Sequence, residues 1–115
     1  MPDLSLKQCG LKPATIQKIQ NALSKFPEIN AVILYGSRAI ATYKAGSDID
    51  LTVALNTQYP PSITLLNKIS IALDHLNLIY TFDISLLSDI TSTKLIEHIN
   101  QFGITFYVSD DLTPG

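Results

Sequence analysis

The chain has 115 residues, 46% hydrophobic and 16% charged, with a formal net charge of -2. That length and balance predict one domain with a real core and exclude a disordered polymer. The near-neutral charge leaves no broad basic surface for nucleic acid or an anionic membrane, and a single cysteine, Cys9, excludes an internal disulfide and a cysteine-based zinc site.

In chain order, Met1 to Lys12 holds no apolar run long enough for a signal peptide, and no later stretch approaches a membrane span, so a cytoplasmic location is expected. Cys9 reads as a small apolar filler. Pro13 suits the first position of a helix, and Ile16, Ile19, Ala22, Leu23 and Phe26 recur at helical spacing. Pro27-Glu28-Ile29-Asn30 breaks that pattern. A strand over 31–35 ends at the Gly36-Ser37 turn. Residues 38–43 suit a short helix, Lys44-Ala45-Gly46 a turn with Gly46 at positive φ, and 48–55 a second strand. Pro60-Pro61-Ser62 opens a helix over 63–76, with Leu65, Leu66, Ile69, Ala72, Leu73 and Leu76 as its apolar stripe. Residues 78–86 read as a third strand carrying Asp83. A helix over 92–102 turns Leu95, Ile96 and Ile99 inward and stops at Gly103. A short strand over 104–108 precedes a tail that frays from about 109. The fold class is therefore α/β (α+β): a small mixed sheet flanked by helices, in a single domain over 1–115. The link between the first two strands is too short for a full crossover helix, so they should pair antiparallel.

Function is concentrated in residues 36–50. Side chains alternate along a strand, so Asp48 and Asp50 share one face while Ile49, Leu51, Val53 and Leu55 share the other. Two carboxylates whose Cα atoms stand roughly 6.7 Å apart repel each other, and a divalent cation would relieve them. A Gly-Ser turn between strand and helix leaves backbone N–H groups free; with the Ser37 hydroxyl they form a small anion cradle. If the third strand lies beside the second, Asp83 completes a three-carboxylate metal site. A phosphate cradle beside such a cluster describes phosphoryl or nucleotidyl transfer, with the third carboxylate as a metal ligand or general base.

Gly36-Ser37-Arg38-Ala39, a spacer, and Gly46-Ser47-Asp48-Ile49-Asp50-Leu51 resemble the signature of the DNA polymerase β-like nucleotidyltransferases, and most of all its minimal nucleotidyltransferase group. The resemblance runs from the first helix to Tyr107 and is most specific over 36–51. It implies the polymerase β-like nucleotidyltransferase fold, Mg²⁺ and an NTP (ATP foremost) as cofactor and co-substrate, and transfer of a nucleoside monophosphate to a hydroxyl. It implies Asp48, Asp50 and Asp83 as catalytic metal ligands, and Gly36 and Ser37 on the β- and γ-phosphates. Many minimal members accompany a small helical HEPN-type or substrate-binding partner, and some act as antitoxins that adenylylate a tyrosine of that partner. With no second domain to clamp an acceptor, a partner chain or a homo-oligomer is expected here, with the face of the helix over 63–76 as a candidate interface. One departure stands out: the family carries glycine where this chain has Ala41.

The remaining candidates are read on their residues. Arg38 is either a phosphate contact or a solvated helix residue. Lys44 and Asp110-Asp111 read as solvated. His75 and His98 lack a ligand-spaced partner and read as surface or cap residues. Tyr35, Tyr43, Tyr80 and Tyr107 read as packing, with Tyr43 alternatively stacking on a base. Two rival functions are an antitoxin that merely occludes its partner, with an idle cluster, and an aminoglycoside-type nucleotidyltransferase.

Overall fold

Alternation along the second strand organises the molecule. Ile49, Leu51 and Val53 are buried on one face, whereas Asp50 stands half-exposed on the other. The computed structural model describes residues 8–109. Its elements are α1 (Pro13–Leu23), β1 (Ile29–Tyr35), β2 (Ile49–Leu55), α2 (Ile63–Asp74), β3 (Phe82–Leu86), α3 (Thr93–Phe102) and β4 (Ile104–Val108). The four strands form one sheet in the order β3-β2-β1-β4. β1 pairs antiparallel with β2 and β4, as the short connection predicts. β2 and β3 pair parallel, with α2 as the crossover between them.

The apolar face of the sheet carries the core. Val32 and Leu34 join Ile49, Leu51 and Val53 in one cluster with Ile19 and Leu23 of α1 and Leu65, Ile69 and Leu73 of α2. Cys9 is fully buried in the same cluster, the filler role its sequence context predicts. Ser62 and Ser92 cap α2 and α3 by accepting the N–H of Leu65 and Leu95, each worth about 1 kcal/mol. α3 packs against β1 on the opposite face. Its buried Ile99 lies outside the main cluster, and its terminal Gly103 stands against Ile33, which alternates with Val32 and Leu34.

Several expectations change. The third strand is only Phe82–Leu86. Leu78 and Tyr80 pack on the core from a loop, and Asn77 takes φ 54 at the turn out of α2. Apolar residues on a covering loop thus imitate a longer strand. The expected helix over 38–43 is a single 3-10 turn, Gly36–Arg38. Ile96, expected inward, is 37% exposed. Ser109 is buried and its N–H donates to the Asn30 carbonyl, so it continues the ordered sheet edge. The rest of the expected tail, Asp110-Asp111 included, lies outside the described residues. Among the described residues no helix is long and apolar enough to cross a membrane.

Ala41 sits at φ 60, in the left-handed region. This gives a backbone reason for glycine at that position, since a side chain there costs about 1–2 kcal/mol. Ala41→Gly should raise stability by about 0.5–1 kcal/mol in chemical denaturation, once the extra freedom of unfolded glycine is deducted. Leu51→Ala, which empties a fully buried site in the central sheet, should lower it by about 2–5 kcal/mol.

Candidate active site

The sheet register assembles the site. Tyr35, the last residue of β1, lies opposite Asp50 of β2. Asp50 in turn lies opposite Asp83 of β3. Register partners project to the same face, so Tyr35, Asp50 and Asp83 form a row across three strands, on the face away from the main core. Asp48, two residues upstream of Asp50, is exposed at the mouth of β2, and its carboxylate accepts the Thr81 hydroxyl. Thr81 immediately precedes β3, so this bond ties the entrances of the two parallel strands together. Asp83 is the register neighbour of Asp50 and Asp48 lies two residues upstream, but among the described residues no group of three acidic, histidine or cysteine side chains is placed to hold a metal ion.

Electrostatics mark Asp50 as the centre of the row. Partial burial, then the Asp83 and Asp48 carboxylates, raise its carboxyl above the usual carboxylate range. The Arg38 guanidinium acts in the opposite sense without cancelling the rise. Tyr35 is only 8% exposed. Burial is the main reason its phenol is raised above its ordinary value, with Asp83 and Asp50 adding to the effect and a hydrogen bond with Ser85 opposing it. Tyr35 therefore stays a neutral hydroxyl beside the acids.

The Gly36 turn closes one side. Gly36 takes φ +75, and a Cβ placed there would overlap the Asp50 carboxylate. Two demands thus exclude any other residue: the left-handed backbone and the acid lying against it. The cradle differs from its sequence-based picture in one respect. The Gly36 N–H is already engaged, donating to Nε2 of His98 at 2.9 Å. The Ser37 carbonyl accepts the Thr42 N–H. The Ser37 N–H and hydroxyl have no partner among the described residues, and they remain as the open donors beside the carboxylates.

Arg38, expected as a phosphate contact or a solvated helix residue, is not solvated. It is 2% exposed. Its Nη1 donates to the Cys9 carbonyl at 2.8 Å, and its Nε and Nη2 donate to the Ser47 carbonyl at 3.3 and 3.0 Å. Its guanidinium lies 5.0 Å from the Tyr43 ring centroid and 4.9 Å from that of Tyr80. Tyr43 is thereby occupied in packing. The clamp holds the Ser47 carbonyl and so sets the backbone immediately before Asp48.

Three residues of this neighbourhood escaped the sequence: His98, Thr81 and Tyr35 in its place beside the acids. A signal for His98 was present. Leu95, His98, Ile99 and Phe102 recur at helical spacing on one stripe, so the imidazole had to face the sheet with Ile99. His75, by contrast, is the exposed C-cap of α2, as expected.

Solved structures with the same fold share low sequence identity with this chain. A toxin-antitoxin with AMP-PNP matches at TM-score 0.64 and 21% identity, over 84% of this chain and 75% of that one. The complex of tri-AMPylated Shewanella oneidensis HEPN toxin with MNT antitoxin matches at TM-score 0.62 and 18% identity, over 88% and 76%. The toxin-antitoxin MntA-HepT matches at TM-score 0.61 and 19% identity, over 87% and 75%. No curated protein sequence matches. The family model described as "Polymerase beta, Nucleotidyltransferase" matches residues 17–112. With most of its length matched by that model, the chain belongs to the polymerase β nucleotidyltransferase family and is a nucleotidyltransferase.

Proposed function

We propose that this chain transfers AMP from ATP to a hydroxyl of a small helical partner protein of HEPN type, with Mg²⁺ held by Asp48, Asp50 and Asp83. The observation that carries the reading is the register pair Asp50–Asp83, set against the Gly36 turn where Ser37 keeps its donors free. The neighbouring structures, one with AMP-PNP and one with a tri-AMPylated HEPN toxin, support the choice of nucleotide and partner.

The donor set suits a hard divalent cation. All three ligands are carboxylate oxygens, and Asp50 is held in a state that added positive charge would relieve. When bound, the metal would neutralise polyphosphate oxygens and polarise the reacting phosphoryl group. The protein supplies the rest. Ser37 directs its N–H and hydroxyl to a phosphate oxygen. The acceptor oxygen attacks the α-phosphorus, the bond from that phosphorus to the α,β-bridging oxygen breaks, and pyrophosphate leaves. Exposed Asp83 accepts the proton released by the acceptor hydroxyl. Arg38, held by carbonyls and two tyrosine rings, contributes by fixing the Ser47–Asp48 backbone; a direct phosphate contact is secondary in this scheme. The left-handed backbone at Ala41 gives the family's glycine a conformational reason, which favours this reading over occlusion without chemistry.

Incubation with the cognate partner, Mg²⁺ and α-labelled ATP should label the partner. Asp48→Asn and Asp50→Asn should each cut labelling by about a hundredfold or more, the scale of removing a principal electrostatic group. Neutralisation of the partner by Asp48→Asn without any label transfer from either protein would instead establish occlusion.

Stability gives an independent check. Asp50 ionises in the usual range when unfolded and at higher pH when folded. Its charge therefore opposes folding above that raised value and has no effect below the usual range. Asp50→Asn should raise the Tm of the metal-free protein at neutral pH, with the gain vanishing on acidification below about pH 4. Mg²⁺ should raise the Tm of the parent and leave that of the variant nearly unchanged.

A further inference from the structure

We propose that His98 is a positioning residue for the nucleotide cradle: its Nε2 fixes the Gly36 peptide so that Ser37, rather than Gly36, presents the donors to the phosphate. The inference rests on the nucleotide-binding function proposed above.

Gly36 is the hinge of the turn. It has a left-handed φ and no side chain; its carbonyl accepts the Ala39 N–H at 3.1 Å within the turn, which holds the peptide after it and leaves the peptide before it to be held from elsewhere. Its N–H is the donor of that preceding peptide plane, and a distant element can grip the plane through it. His98 supplies that grip at 2.9 Å, from a helix 62 residues away in sequence. An imidazole that accepts at Nε2 carries its proton on Nδ1, so this bond also selects the tautomer.

The ring is itself held. Tyr35 meets it edge-on at 6.4 Å between centroids, and Phe102 lies tilted at 5.4 Å. Tyr35 is the residue before Gly36 and the register partner of Asp50. One imidazole thus connects α3, the end of β1 and the turn over Asp50.

Planar peptides transmit the restraint. Only the φ and ψ of Gly36 separate the peptide that His98 holds from the one carrying the Ser37 N–H. His98 holds the first and the Ala39 N–H holds the second through the Gly36 carbonyl, so the two together set the direction of the Ser37 N–H. A phosphate then meets donors already aimed, and less ordering entropy is lost on binding. The Gly36 N–H, being engaged, is not among those donors.

The test compares the full-length parent with His98→Ala, His98→Gln and Asp48→Asn. AMP-PNP with Mg²⁺ is titrated by calorimetry, and hydrogen exchange of the Gly36 amide is followed by NMR. His98→Ala should weaken AMP-PNP binding by about tenfold, the scale of one restraining hydrogen bond, and should speed exchange at Gly36. In the transfer assay KM for ATP should rise more than kcat falls. His98→Gln, whose amide oxygen can accept the same N–H, should recover much of both the affinity and the protection. Circular dichroism should show all variants folded.

Parent-like AMP-PNP affinity in a folded His98→Ala would overturn the inference and leave the proposed function standing. Failure of a folded His98→Gln to recover any affinity would do the same. A parent that binds no AMP-PNP would overturn both, and Asp48→Asn marks the difference by losing transfer without loss of Gly36 protection.

Discussion

The parallel pairing of β2 with β3 is the constraint on which the site depends. One ladder sets Leu51 beside Ile84 on the core side and Asp50 beside Asp83 on the other. A slip of one residue would turn Leu51 to solvent and drive Asp50 into the cluster of Val32, Leu34 and Ile69. Burial of the apolar set therefore holds the acids together, although they repel each other. The core, rather than any attraction within the site, stabilises the site's geometry.

Charge is handled differently on the two sides of the Gly36 turn. The acids lie near the surface, where water moderates their repulsion, and burial together with its neighbours raises Asp50. Arg38 is almost completely buried. A buried guanidinium is tolerable when its donors and faces are occupied. Here carbonyls of Cys9 and Ser47 and the rings of Tyr43 and Tyr80 serve that purpose. The same contacts draw together the segment before α1, the loop before β2 and the loop before β3. Thr81 adds its bond to Asp48 at the same end of the sheet. The loops that lead into β2 and β3 are thus fixed, among the described residues, without using the acids as ion-pair partners.

α3 completes the arrangement from the opposite face. It buries little besides Ile99, and its packing on β1 brings an imidazole to the turn rather than adding much to the core. The segments that meet there are far apart in sequence: the end of β1, the mouth of β2, the start of β3 and the middle of α3.

Much of this was legible in the chain. The period-2 pattern over 49–55 determined that Asp50 faces away from Ile49, Leu51 and Val53, because adjacent side chains on a strand must point to opposite faces. The apolar stripes located α1, α2 and α3, and Ser62 marked the start of α2. Local rules failed where a loop covers the core: Leu78 and Tyr80 imitate a strand because burial, not pairing, selects apolar residues there. Arg38 and His98 were beyond local reasoning for a related reason. A guanidinium or an imidazole takes its role from the groups it meets, and Cys9, Ser47 and Gly36 reach them only through the folded sheet. The sequence by itself determined which residue types were present and which face of each strand they occupied. Tertiary structure decided the partners, because register between strands and the seating of a helix on a sheet are set by long-range packing that no short window of residues contains.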